Sequence, residues 1–204
     1  MPEKLKIAIL IMAAGTSSRM KTIKQLLPWR DSTFIGNVLK KAQSSKAVHV
    51  LTVLGAYGQE IIKRTNFSGT EVVLNLNWKM GLGNSIAYGT KKLLEQNPNY
   101  DGILVMLTDQ PLIDDQYLNM LIENFTNSKH SIVATKYDNR IGVPAVFGKI
   151  HFEALLELNS DYGAREIIKA HPNDVLGISA DGKELDIDTK EEYERVRKRL
   201  ESQD

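Results

Sequence analysis

The chain has 204 residues, 42% hydrophobic and 25% charged, the composition of a soluble globular protein able to bury a full core. Its 26 basic and 25 acidic side chains leave a formal charge of +1, which argues against nucleic acid as a partner, since such binders carry a basic excess or stripe. The absence of cysteine excludes disulfides, thiolate metal sites and cysteine nucleophiles, and no apolar run reaches the ~18 residues of a membrane span. The first residues, Met-Pro-Glu-Lys-Leu-Lys, lack a signal peptide's apolar core. A cytoplasmic protein with no membrane partner is expected, with residues 1–204 forming a single domain.

In chain order, apolar runs at Leu5–Met12, His49–Leu54, Glu71–Leu76, Asp101–Leu107 and Ser131–Thr135 lack clean alternation, as strands buried on both faces should. Helical spacing separates them: Phe34 to Ala42, a shorter segment around Ile61 and Ile62, Ile86 to Leu94, and Tyr117 to Phe125. Strands alternating with helices predict an α/β fold, a single-domain Rossmann-like three-layer sandwich around a mostly parallel sheet. Further on, Gly142–Phe147 reads as a strand. Phe152 to Leu158 and Ala164–Ala170 read as helices, and Asp174–Ile178 as another strand. Asp181-Gly182 suits a hairpin turn. Leu185 to Asp188 should then return to the sheet as a short strand, with Asp188 or Thr189 capping a last helix over Lys190–Leu200.

Between Ile11 and Pro28 the chain reads Ile-Met-Ala-Ala-Gly-Thr-Ser-Ser-Arg-Met-Lys-Thr-Ile-Lys-Gln-Leu-Leu-Pro. A strand opening into a small-residue loop leaves backbone N–H groups to face an anion. Arg19 and Lys24 are placed to grip further phosphate oxygens. No second glycine follows Gly15 before Gly36, so neither the P-loop nor the dinucleotide fingerprint applies. The local alternative is an ordinary strand-to-helix turn with solvated basic residues.

Asp109, in Val-Met-Leu-Thr-Asp-Gln-Pro, ends an apolar strand where α/β folds collect ligands. There it can hold magnesium on a nucleotide's phosphates, or merely cap a turn or the helix starting near Asp114. Asp186 and Asp188 point to one side of an extended segment and suit a divalent cation as a pair, the alternative being a helix cap at Asp188 and a solvated Asp186. If one of them serves, Asp186 is the choice, because Asp188 has a capping role. Trp78-Lys-Met-Gly-Leu-Gly-Asn-Ser-Ile can wall a nucleotide site, with its glycines allowing close backbone approach. Gly55-Ala-Tyr-Gly58 follows the second strand on the same edge. Asp161-Tyr-Gly-Ala-Arg165 forms a local ion pair or grips an anionic acceptor. His49, His130, His151 and His171 are scattered and read as structural or surface residues.

Together these motifs resemble the MobA-like NTP transferase family, and within it the molybdenum cofactor cytidylyltransferases. The likeness runs from the first loop through Leu107-Thr-Asp-Gln-Pro111 and Gly142-Val-Pro-Ala-Val-Phe147 to Asp186-Ile-Asp-Thr189. The resemblance implies transfer of a nucleoside monophosphate to a phosphorylated acceptor, with Mg2+ as cofactor. It places Ala13, Ala14, Gly15, Gly55, Gly81, Gly83 and Ser85 around the nucleotide, with Arg19 and Lys24 on its phosphates as catalytic cations. Asp109 becomes the metal ligand, partnered by Asp186 or Asp188, and Val143, Pro144, Asp161 and Arg165 meet the acceptor. Ala-Ala-Gly in the loop favours CTP over GTP, and molybdopterin is the implied acceptor, with a client molybdoenzyme or its chaperone as partner. Alternatives are a transferase for a sugar or polyol phosphate, and a non-catalytic nucleotide-binding module serving an oxidoreductase. Lys21, Val143 and Ser160 depart from the family's glycine, histidine and glycine. The last two fall in the region expected to meet the acceptor.

Overall fold

A computed structural model of the chain describes residues 5–20 and 22–201, so the departure at Lys21 lies outside the described residues. The strands are β1 (Ile7–Ala13), β2 (Pro28–Trp29), β3 (Ser32–Thr33), β4 (His49–Leu54), β5 (Glu71–Leu74), β6 (Gly102–Leu107), β7 (Ile132–Lys136), β8 (Ile141–Gly148) and β9 (Val175–Ser179). The α-helices are α1 (Phe34–Gln43), α2 (Gly58–Arg64), α3 (Leu82–Gln96), α4 (Asp115–Asn127), α5 (Phe152–Leu156), α6 (Arg165–Ala170) and α7 (Lys190–Glu201).

All seven residues of β1 are buried, and successive side chains go to opposite faces of the sheet. Ile7, Ile9, Ile11 and Ala13 join a core with α1, α2 and α4. Ala8, Leu10 and Met12 join another with α3, α5 and α6. The strand is unbroken apolar sequence because both faces are covered, and each fully buried Ile or Leu contributes about 1.5–3 kcal/mol. Two helical layers about one sheet give the α/β three-layer sandwich.

The sheet order is β5-β4-β1-β6-β8-β7-β9. The pairs β5–β4, β4–β1, β1–β6 and β7–β9 are parallel, while β8 runs against both β6 and β7. The ends of β1, β4 and β6 therefore share one edge of the sheet. Because β8 is reversed, its start, Ile141–Val143, reaches that same edge. The β7–β8 register slips between Ala134 and Thr135, leaving Val143 and Pro144 in a bulge where proline's missing N–H breaks no ladder bond.

Two expectations fail. Leu185–Asp188 is not a strand, because its backbone is engaged elsewhere. The Ile187 N–H donates to the Asp109 carbonyl at 2.9 Å, and the Ile187 carbonyl accepts from Lys24. Asp181-Gly182 does turn the chain, with both residues at positive φ, but it joins no hairpin. The cap of α7 is Thr189, whose Oγ1 accepts from the Glu192 N–H at 3.2 Å. Glu192 returns the bond by accepting from the N–H groups of Asp188 and Thr189 at 2.8 and 2.9 Å. This is a capping box, and it leaves the Asp188 carboxylate free for other work. Asp109 caps nothing either, since Asp114 accepts from the Tyr117 N–H at the start of α4. The β2–β3 hairpin, unforeseen, packs Trp29 against Phe34, Ile187 and Tyr193. The Tyr193 hydroxyl donates to the Pro28 carbonyl, docking α7 beside the loop that follows β1. Among the described residues no helix is long and apolar enough to cross a membrane.

Candidate active site

β1 and β6 end side by side, with the Thr108 N–H just past β6 donating to the Met12 carbonyl of β1 at 3.2 Å, and the loop after β1 leaves from that edge. Gln25, 3% exposed, fastens the loop by donating from Nε2 to the carbonyls of Ala13 and Gly15 at 3.3 and 3.2 Å. With those carbonyls held, the N–H groups of Gly15, Thr16 and Ser17 have no backbone partner among the described residues. Backbone N–H groups left unpaired in this way suit an anion.

The loop borders a cavity of about 430 Å3 whose charged lining is Arg19, Lys24, Lys79, Asp109, Asp161 and Asp188. Lys24 is the centre of this arrangement. Its side chain is only 10% exposed, and Nζ donates to Asp109 Oδ2 at 3.4 Å, Asp188 Oδ1 at 3.0 Å and the Ile187 carbonyl at 3.0 Å. Arg19, well exposed, pairs with the other oxygen of Asp188 at 2.9 Å. Asp186 lies outside this set. Its Oδ1 accepts from Gln110 at 2.8 Å and its Oδ2 from Arg140 at 3.0 Å. The ground for choosing Asp186 over Asp188 thus falls, because Thr189 rather than Asp188 does the capping.

Burial pushes the Asp109 carboxyl above its ordinary range. Lys24 opposes this, and the negative charges of Asp186 and Asp188 add to it. Burial acts the same way on Asp188, but Lys24 and Arg19 together outweigh it and hold that carboxyl below its ordinary range. Asp109 Oδ1 is buried with no hydrogen-bond partner among the described residues, and an orphaned anionic oxygen in a polar cavity suits a cation. Among the described residues no three His, Asp or Glu side chains form a ready-made metal centre. A divalent ion held by one or two carboxylates plus substrate phosphates fits this donor set, and magnesium is commonly bound that way.

The remaining predicted residues divide. Ala13, Ala14, Gly81 and Ser85 line the cavity beside Trp78. Ser85 is held by the buried Asn75, which donates to its Oγ at 3.0 Å. Gly81 has φ +106°, and a Cβ there would lie 2.6 Å from the Asp161 nitrogen, so glycine is required. Gly55 does not line the cavity. It backs the wall, where a Cβ would lie 2.5 Å from Trp78 Cβ and 2.8 Å from the Ala14 carbonyl oxygen. Gly83 faces away too, its N–H donating to the Ser160 carbonyl at 2.8 Å. Of the acceptor set, Asp161 lines the main cavity, while Val143 and Arg165 line an adjoining one of about 200 Å3. Pro144 lines neither, and its carbonyl accepts from Thr135 within the bulge.

Sequence reasoning missed Gln25, Lys79, Gln110, Tyr137 and Arg140. Gln25 and Gln110 each follow a residue that was singled out, Lys24 and Asp109, and adjacency was their only signal. Nothing in the sequence marks Tyr137 and Arg140.

Residues 9–175 match the model of the MobA-like NTP transferase domain. The purine catabolism protein PucB of Bacillus subtilis (strain 168) is 28% identical over 208 residues, covering 93% of this chain and 95% of that protein. The nicotine blue oxidoreductase of Paenarthrobacter nicotinovorans is 28% identical over 195 residues, covering 91% and 94%. Among solved structures, Rv0371c from Mycobacterium tuberculosis H37Rv aligns at TM-score 0.83 and 29% identity over 94% of this chain and 97% of its own. Its complex with manganese aligns at TM-score 0.79 and 28% identity, with the same coverage. The two full-length relatives bear names from different processes, so the family alone does not give the acceptor. With residues 9–175 matched, the chain belongs to the MobA-like NTP transferase family and is a nucleotidyltransferase of that type.

Proposed function

We propose that the chain, acting as one domain, transfers CMP from CTP to the phosphate of molybdopterin and releases pyrophosphate. One observation carries the reading: Lys24 bridges the Asp109 and Asp188 carboxylates in a cavity lined by the loop after β1, beside the orphaned Asp109 Oδ1. CTP as donor rests on the Ala13-Ala14-Gly15 loop, and the acceptor on the likeness to cofactor cytidylyltransferases. A client molybdoenzyme or its chaperone would receive the product.

An oxygen of the acceptor's phosphate attacks the α-phosphorus, and the bond from that phosphorus to the bridging oxygen breaks as pyrophosphate leaves. The nucleophile is already ionised at neutral pH, so no side chain has to remove a proton. The chain's task is positioning and charge neutralisation. Loop N–H groups from Gly15 to Ser17 hold phosphate oxygens, and Trp78 and Ser85 border the base and ribose. Lys24 and Arg19 exchange carboxylate for phosphate oxygens as charge moves toward the leaving group. Asp109, with Asp188 or Asp186, would hold magnesium, which supplies further charge neutralisation on the phosphates when bound.

Pyrophosphate release from each NTP, with magnesium and a panel including molybdopterin, sugar phosphates and polyol phosphates, tests the reading. Release with CTP and molybdopterin is expected. Release only with another pair would replace the named substrates, and nucleotide binding without release under any condition would end the transferase reading for this chain. Asp109→Ala should abolish release while circular dichroism stays native. Lys24→Ala should lose about 2–4 kcal/mol of transition-state stabilisation in kcat/KM, the scale for losing one preorganised donor. An unchanged kcat/KM would remove Lys24 from the mechanism.

A further inference from the structure

The smaller cavity shares Leu82 and Leu107 with the main one and has an apolar floor. Its charged side chains are Arg140, Arg165 and a single acid, Asp186. Arg140 ends a tight turn in which the Tyr137 N–H donates to the Arg140 carbonyl at 2.8 Å. Its guanidinium stacks over the Tyr137 ring at 4.2 Å and lies 3.0 Å from Asp186 Oδ2. Asp186 is also fixed from below by Gln110, which is 1% exposed and donates to both Asp186 Oδ1 and the Tyr137 hydroxyl. The Tyr137 hydroxyl in turn donates to the Val143 carbonyl at 2.5 Å. Arg140 itself is 39% exposed, and an ion pair with that much water access contributes little. An incoming phosphate, with more charge and a bidentate match to the guanidinium, is the stronger partner.

We propose that Arg140 is the specificity-determining residue for a phosphate monoester acceptor, exchanging Asp186 for the acceptor's phosphate while keeping its stack on Tyr137. Asp186 is the internal place-holder that keeps the guanidinium in position beside the cavity until the acceptor arrives, and Gln110 keeps Asp186 in position during the exchange. The inference rests on reading this cavity as the acceptor's.

The test uses the full chain without nucleotide, so it does not depend on turnover. Inorganic phosphate and phenyl phosphate are titrated into 15N-labelled protein. The Nε–Hε signal of Arg140, assigned by its loss in Arg140→Lys, is followed by NMR. A saturable shift of that signal is expected, larger in affinity for phenyl phosphate, whose ring meets the apolar floor. Arg140→Gln should weaken phenyl phosphate binding about tenfold, and Arg140→Lys by less. Asp186→Asn, which removes the competing anion, should tighten binding severalfold. An unmoved Arg140 signal, unchanged binding in Arg140→Gln, or weakened binding in Asp186→Asn would overturn the proposal. If the chain transfers CMP while the Arg140 signal stays still, only this inference falls. If the signal moves while no pyrophosphate is released, only the transferase reading falls.

Discussion

Asp109 and Asp188 share the Lys24 ammonium, yet their surroundings drive the two carboxyls in opposite directions. Asp188 gains more from Lys24 and Arg19 than burial costs it, so it favours the folded state when ionised. That contribution is present above the unfolded carboxyl's pKa of about 3.9 and is lost as pH falls through the lower folded value. Asp109 has the opposite sign. Its raised folded value means that ionisation at neutral pH opposes folding, and the penalty disappears once pH falls below about 3.9. Thermal melts of metal-free protein should therefore show Asp188→Asn less stable than the parent at pH 7, with the gap closing toward pH 3. Asp109→Asn should be more stable at pH 7, with its advantage also vanishing at low pH, because Lys24 keeps Asp188 and the Ile187 carbonyl as partners. A destabilised Asp109→Asn at neutral pH would show that the Lys24 contact outweighs the burial cost. An inactive but more stable Asp109 variant is what a ligand-ready carboxylate should yield.

The capping box of α7 is the element on which Asp188 depends. Glu192 holds the N–H groups of Asp188 and Thr189 while Thr189 holds that of Glu192, so the backbone beneath the Asp188 side chain is pinned to the helix start. Thr189→Ala should cost about 1 kcal/mol in denaturant unfolding, as lost caps do. It should also lower kcat, by letting Asp188 drift from Lys24. Retained kcat with the stability loss would show that Ile187, wholly buried, positions Asp188 without the cap. Asp188 and Thr189 were both legible as caps, and only packing decides between neighbours that suit a role equally. β1 was legible to within two residues because burial on both faces leaves a plain apolar signature. Leu185–Asp188 was misread because an extended segment whose hydrogen bonds go to a side chain and a loop carries the same residues as one that joins a ladder. Arg140 was invisible for a different reason: its partner Asp186 lies 46 positions away, and only the reversal of β8 brings the turn beside it.

At the scale of the whole molecule, that reversal divides the site into two sources. The loop, Asp109 and the wall at Trp78 come from the carboxyl ends and following loops of strands on the parallel side, β1, β5 and β6. The smaller cavity instead draws on the start of antiparallel β8, the turn before it, and the first residue of α6, Arg165. The two halves meet at Leu82 and Leu107, which line both cavities, and otherwise share few side chains. Sites supplied by separate elements with few common partners respond to substitution nearly independently. Arg165→Ala should therefore raise the acceptor's KM about tenfold, the scale of one lost charge-assisted contact, and leave the KM for the nucleotide substrate within twofold. Asp161 stands on the loop that leads into Arg165 but lines the larger cavity, so Asp161→Ala should show the reverse pattern. Initial-rate matrices varying both substrates separate the two constants. A parallel rise of both KM values in Arg165→Ala would mean that the 161–165 loop moves as one body, and that acceptor and nucleotide are bound by a single coupled surface.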